Sequence, residues 1–341
     1  MPIRTFDASA PESVFAFLDE RVGKRGAAHW RWKYRIGAPG RPSALYWEED
    51  DGRIAGFIGM MHTQLESGSE RAPAAWFVDW HVNPGSRSVG IGMGLLRKAE
   101  AASGSLLTLQ GSVDTREILP KLGWQQSLSP ALYVRPLSRR YVASRLAHRL
   151  PSALRGIAGI FGLAAAPALR CDAPPAPAGV TLETIERFPS EYDRVWSARA
   201  KEFAPSMTRD SAYLNYFCAD YPDRGYRMHL LRDGNEIIGH LVLRIDKDRE
   251  GLSRGRIVDM LWPRSRRELA AFLLASACAE LQRSGADYAE LMVSSADVRE
   301  SLPRLFRQRR VVPIWYHIVP PAFGHPDSWY ITFLDCDRAY R

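Results

Sequence analysis

The residues of this chain best suited to chemistry form one run, Val82-Asn-Pro84-Gly-Ser-Arg87-Ser88-Val89-Gly90-Ile91-Gly92-Met93-Gly94-Leu-Leu-Arg97. A strand that closes on a proline and runs into a glycine-rich helix start leaves several backbone N–H groups unpaired and pointing outward, a cradle for an anion. Glycines at 90, 92 and 94 remove side chains where a phosphate must approach the backbone, and Arg87 adds a fixed positive charge. Each glycine costs a helix roughly 1 kcal/mol, so three near its start need an offsetting reason. Close approach of a pyrophosphate is one, and close packing of helix on sheet is the other. The G-x-G-x-G spacing alone does not choose between them.

The elements that position this run occur twice. Ser112-Val-Asp114-Thr-Arg116-Glu117-Ile-Leu119-Pro120-Lys-Leu122 and Ser295-Ala-Asp297-Val-Arg299-Glu300-Ser-Leu302-Pro303-Arg-Leu305 share seven of eleven residues at an offset of 183. The same offset carries Pro130 to Pro313 and Tyr133 to Tyr316, and slightly smaller ones carry Asp51-Gly52 to Asp233-Gly234 and Val78-Asp79 to Val258-Asp259. Anchors kept in order across the chain mean one supersecondary unit used twice. In each copy an Asp-Gly turn precedes an apolar run of strand length (53–61, 236–244), followed by a second strand closed by proline (75–82, 256–262). A helix follows, read in the second copy from the stripe Leu269, Phe272, Leu273, Ala277 and Leu281. Strands at 106–110 and 288–293 come next, then Asp-x-x-Glu at Asp114/Glu117 and Asp297/Glu300, the spacing of a capped helix start.

With these residues in place the chain resembles the GNAT acyltransferase superfamily, whose cofactor motif [QR]-x-x-G-x-[GA] follows a strand ending V-x-P. The match is Val82-Asn-Pro84 and Arg87-Ser88-Val89-Gly90-Ile91-Gly92, with Lys121-Leu122-Gly123-Trp124 where many members carry K-L-G-F. The resemblance covers roughly 3–137 and, weakened, 180–337. It implies an α/β (α+β) fold of two tandem GNAT-like domains, each a mixed, mostly antiparallel sheet flanked by helices. The expected division is 1–137 with an intact acyl-CoA motif, 138–178 as a basic, Pro/Ala-rich linker, and 179–341 with a degenerate motif. It further implies acyl transfer from acetyl-CoA or another acyl-CoA to an amine or hydroxyl. Backbone amides along Arg87, Ser88, Val89, Gly90, Ile91, Gly92, Met93 and Gly94 would hold the pyrophosphate, and the backbone near His81 and Val82 would polarise the thioester carbonyl. Asp79 and His81 alternate onto one strand face, where either could take the acceptor's proton. The competing reading of Asp79 is a structural carboxylate, since its counterpart Asp259 lies in a copy that has lost the motif.

The sequence departs from the family at Leu119, where many members place a tyrosine that protonates the thiolate; Tyr133 and Ser112 are the substitutes at hand. In the second copy Arg266-Arg-Glu268-Leu269 puts leucine where Gly90 stands, so no cofactor is expected there. The tandem arrangement, with WRWKY at 30–34 and NYFCADYP at 215–222, is similar to acyltransferases of bacterial polysaccharide loci, which points to a small or sugar-linked acceptor. The run His29 to Tyr34 reads as a buried ring stripe whose cations snorkel outward.

At 341 residues, 46% hydrophobic and 25% charged, the chain is an ordinary folded protein. A formal net charge of +8 favours an anionic ligand without calling for nucleic acid. Four scattered cysteines and no paired Cys/His spacing suggest neither a disulfide framework nor a metal site and fit a cytoplasmic protein. No run reaches the length of a membrane span or reads as an export signal. Arginines and leucines between 138 and 169 permit either peripheral contact with anionic lipid or an interdomain helix, and the second is favoured. A non-catalytic scaffold on the same fold, and a Fem-like aminoacyl transferase, remain as alternative functions.

Overall fold

The computed structural model describes residues 3–7, 9–35, 42–148, 150–151, 167–223 and 225–340, with the backbone alone at 87–89 and 339. The first half forms β1 (Ile3–Thr5), β2 (Ala44–Glu48), β3 (Ile54–Ser67), β4 (Glu70–Val82), β5 (Ser105–Leu109), β6 (Gln125–Ser127) and β7 (Ala131–Pro136). The second forms β8 (Val180–Ile185), β9 (Ser206–Met207), β10 (Tyr226–Asp233), β11 (Glu236–Lys247), β12 (Ser253–Leu261), β13 (Tyr288–Val293), β14 (Arg307–Val311) and β15 (Ile314–His317). Two mixed, mostly antiparallel sheets result, one in the order β1-β2-β3-β4-β5-β15-β6 with β9 against β3, the other β14-β7-β13-β12-β11-β10-β8. The fold is thus the expected duplicated α/β arrangement.

The halves trade one strand each. β15 enters the first sheet between β5 and β6, while β7 enters the second between β13 and β14. The cores merge as well: one cluster of buried side chains runs from Phe6 to Tyr340, with a second under the helix that follows β4.

In the first copy, helices α1 (Glu12–Arg21) and α2 (Ala27–Lys33) precede β2, α3 (Ile91–Ala102) follows β4, and α4 (Val113–Ile118) follows β5. α3 buries Ile91, Leu95, Leu96 and Ala99, one stripe of a 3.6-residue period, against the sheet. The start of α4 falls where expected, but its cap is Ser112, whose hydroxyl accepts from the Thr115 amide at 3.1 Å, rather than Asp114. Ser295 stands at the same place in the second copy, ahead of the helix Ala296–Glu300.

The described part of the linker, a helix from Arg139 to Ala147, packs on the second sheet. Tyr141 lies 4.7 Å from the Tyr288 ring, Arg145 pairs with Glu250 at 3.0 Å and Arg140 donates to the Gly251 carbonyl. The stretch 152–166 lies outside the described residues.

Candidate active site

β4 and β5 run parallel and hydrogen-bond only at Ala74/Ser105, Ala75/Leu106 and Trp76/Leu107 among the described residues. Beyond that point they diverge around a cleft of about 610 Å³. A bulge drives the divergence: Phe57 of β3 faces His81 and Gly59 faces Val78, so β4 carries one extra residue, and Asp79 sits at φ +53°. One wall of the cleft is β4 from Phe77 to Val82 with Gly90, Gly92 and Met93; the other is Thr108 to Ser112 with Asp114, Thr115 and Ile118. Cys336, Asp337 and Arg338, from the far end of the chain, close it.

The helix start expected to cradle an anion opens into this cleft. Gly90 adopts φ +77°, and among the described residues a Cβ there would meet nothing within 4 Å. Among the described residues no side chain caps the helix, and its first amides lack intrahelical acceptors. Gly92 has the other explanation: a Cβ would stand 3.1 Å from Val82 and 3.4 Å from Trp80, whose indole N–H donates to the Gly92 carbonyl at 3.2 Å. Gly94 makes ordinary contacts with Ile3 and Trp47. Of the three glycines, Gly90 alone is required by its φ, whereas Gly92 serves helix-on-strand packing.

Asp79 is fully buried and held by a hydrogen-bonded ion pair with Lys33 and by the Tyr34 hydroxyl at 2.5 Å. Lys33 also reaches Asp337 at 3.2 Å. Gly59 makes room for this, since a Cβ there would lie 2.3 Å from the Tyr34 ring. The strict alternation that placed Asp79 and His81 on one face is broken by the bulge, and His81 is the more exposed of the two. The expectation that the cations of α2 snorkel holds for Arg31, which pairs with Glu12 over the Phe15 ring, but not for Lys33, which is buried. Tyr133 does not line the cleft, because β7 has gone to the second sheet, and Leu119 is fully buried. In the sequence Lys33 and Tyr34 read only as part of a ring stripe with outward cations, not of the site, and nothing singled out Asp337. The one available signal was a carboxylate, Asp79, inside an apolar strand, which demands a buried partner.

The equivalent slot in the second copy is filled by the chain itself. The β12/β13 ladder runs from Arg254/Tyr288 to Ile257/Leu291, and past it the segment Trp329–Leu334 lies between the strands. The Leu334 amide donates to Val258 at 3.3 Å, the Ser294 amide to Ile331 at 3.2 Å, and the Tyr330 hydroxyl to Met260 at 2.5 Å. Asp259, the counterpart of Asp79, is buried against Arg209 at 2.9 Å, His240 at 3.0 Å and Thr332 at 2.8 Å. Burial works to raise its pKa, but these partners outweigh burial and hold the carboxyl below its ordinary range. Leu269 is buried and Arg266 is committed to Asp233 and Glu268. After plugging this slot the segment continues into the first copy's cleft at Cys336–Arg338.

No family model matches the chain, and no curated protein matches its sequence. Solved structures do match it. A GCN5-related N-acetyltransferase from Anabaena variabilis superposes with a TM-score of 0.60 at 15% identity, over 91% of this chain and 71% of its own. The fold is that of the GCN5-related N-acetyltransferases. A probable N-acyltransferase of Enterococcus faecalis, otherwise of unknown function, matches at 0.60 and 10% identity over 93% and 72%. Saccharomyces cerevisiae N-myristoyltransferase with bound myristoyl-CoA matches at 0.58 and 12% over 92% and 82%. Both sheets of the tandem GNAT fold are therefore covered in each comparison. No helix among the described residues is long and apolar enough to cross a membrane.

Proposed function

We propose that the first copy transfers an acyl group from an acyl-CoA to an amine or hydroxyl. The observation that carries this is the cleft between the splayed strands β4 and β5, which ends at the uncapped, glycine-started helix α3. A coenzyme A thioester suits it chemically: the amides from Arg87 to Gly94 would hold the pyrophosphate and the backbone at His81 and Val82 would face the thioester. Bound there, the cofactor supplies an activated acyl carbonyl.

The remaining roles belong to this chain's side chains. His81, partly exposed on the cleft wall, takes the acceptor's proton directly or through one water. Asp79, neutralised by Lys33, acts as a positioning residue: it fixes Lys33 and through it Asp337, which closes the cleft. Asp114 brings a carboxylate to the cleft wall, where an amine could meet it, and Trp80 offers an aromatic face for a sugar-linked acceptor.

Calorimetric titration of acetyl-CoA and longer acyl-CoAs into wild type, Gly90→Ala and Gly90→Glu tests the reading. Both variants carry the strain of a side chain at positive φ, but only glutamate puts bulk and negative charge over the α3 amides. Saturable binding that Gly90→Ala retains and Gly90→Glu loses is expected. No binding to wild type at millimolar ligand overturns the proposal and leaves a scaffold or a tRNA-dependent transferase.

A further inference from the structure

Three of the four bulky apolar side chains that stand exposed among the described residues occupy one corner of the molecule: Val113 at 59%, Leu128 at 68% and Val311 at 39%. Val113 opens α4, Leu128 follows β6 and Val311 ends β14, and the neighbouring segments are tied together by backbone hydrogen bonds, Val312 N–H to the Pro130 carbonyl and Gln110 N–H to the Pro313 carbonyl, each at 2.7 Å. The segment that carries Val113 forms part of the lip of the cleft, since Gln110, Gly111, Ser112 and Asp114 line it.

Beside this corner runs β14, an edge strand paired only with β7 and exposed at every position. Between residues 299 and 310 the chain carries Arg299, Arg304, Arg307, Arg309 and Arg310 against a single acid, Glu300. Arg304, Arg307 and Arg309 form no ion pair among the described residues, while Arg310 acts on Glu290. Arginines on a free edge strand guard it against pairing with other chains. That duty does not account for aliphatic side chains left in water next to them, nor for the place of Val113 at the lip of the cleft.

We propose that this corner docks on an anionic lipid surface, with the arginines of β14 at headgroup level and Val113, Leu128 and Val311 entering the acyl boundary. Cations around short aliphatic tips are what such an interface selects, because the two contributions add. A nucleic acid would use the cations but gains nothing from aliphatic tips, as its readers stack aromatic rings on bases. The surface is separate from the helix Arg139–Ala147, which spends its cations on the second sheet. Where the acyl-transfer reading holds, docking would present the open lip to a headgroup or chain lodged in the bilayer, which makes an amphiphile the acceptor or acyl source.

Co-sedimentation with phosphatidylcholine vesicles, with and without phosphatidylglycerol, tests the docking without any catalysis, so its outcome is independent of acyl-CoA binding. Wild type is expected to sediment only with the anionic vesicles and less as salt rises. Arg307→Glu/Arg309→Glu/Arg310→Glu should lower partitioning more than tenfold, on a scale of roughly fivefold per arginine near a charged surface. Leu128→Ser/Val311→Ser should lower it severalfold with the charge intact, and thermal melts check that both variants remain folded. Absence of wild-type sedimentation, or sedimentation that survives charge reversal, overturns the proposal. So does an unweakened serine variant whose vesicles are displaced by an RNA homopolymer, which would make the corner a polyanion site instead.

Discussion

At the scale of single residues, the molecule keeps its ionised groups buried in sets rather than pairs. Lys33 serves both Asp79 and Asp337, so Lys33→Met leaves two buried carboxylates without that cation. Breaking a buried pair in this way costs about 3–5 kcal/mol, and the deficit should shrink as pH falls and the carboxylates take up protons; urea titrations at neutral and acidic pH read both effects. His29, one turn before Lys33, is pushed down from its ordinary 6.5 to about 4, first by burial and then by the Lys33 charge. The folded chain therefore binds fewer protons at this site than the unfolded chain between those pH values. Its contribution is complete above pH 6.5 and is lost as pH falls toward 4. After a discount for partial exposure this amounts to about 2–3 kcal/mol. His29→Gln should flatten that limb of the stability curve, and an unchanged limb would show that another group sets it.

At the scale of elements, close backbone approach governs the second sheet as the bulge governs the first. A Cβ on Gly239 of β11 would stand 2.0 Å from the Leu261 carbonyl oxygen of β12. Backbone cannot yield as a side chain can, so Gly239→Ala should cost roughly 3 kcal/mol, measured as a fall in urea midpoint at constant m-value. The elements themselves were legible because each announces itself locally: Asp-Gly before β3 and β11, proline after β4 and β12, the apolar stripe of Glu268–Arg283. The bulge at Asp79 was not, because an extra residue in a strand changes no local preference and shows only against its partner. Nor was the strand trade, although the repeat held the clue. The offset that maps Pro130 and Tyr133 onto Pro313 and Tyr316 equates β7 with β15, and equivalent strands are the ones that can exchange places. In the candidate site, the glycine run was legible as a helix start, but Lys33 and Asp337 lie hundreds of residues apart in sequence and meet Asp79 only through the tertiary fold.

At the scale of the whole molecule, each sheet is incomplete without the other half. The intact chain, whose halves share strands and a core, should melt in one calorimetric transition, while the fragments 1–137 and 179–341 could complete a sheet only by returning β7 or β15 to its own half and should melt well below the intact chain. Two resolved transitions in the intact chain, or a fragment as stable as the whole, would contradict this. The second copy is then more than ballast: its slot anchors the segment that delivers Asp337 and Arg338 to the cleft. The trade also has a history written into each molecule's birth. On the ribosome β5 and β6 emerge early, but their shared neighbour β15 lies about 190 residues downstream, which at typical elongation of roughly 5–20 residues per second is about 10–40 s later. For that interval β5 has one edge open and β6 has no partner in the first sheet, the kind of surface that holdase chaperones bind, and translation speed through the second half becomes a determinant of yield.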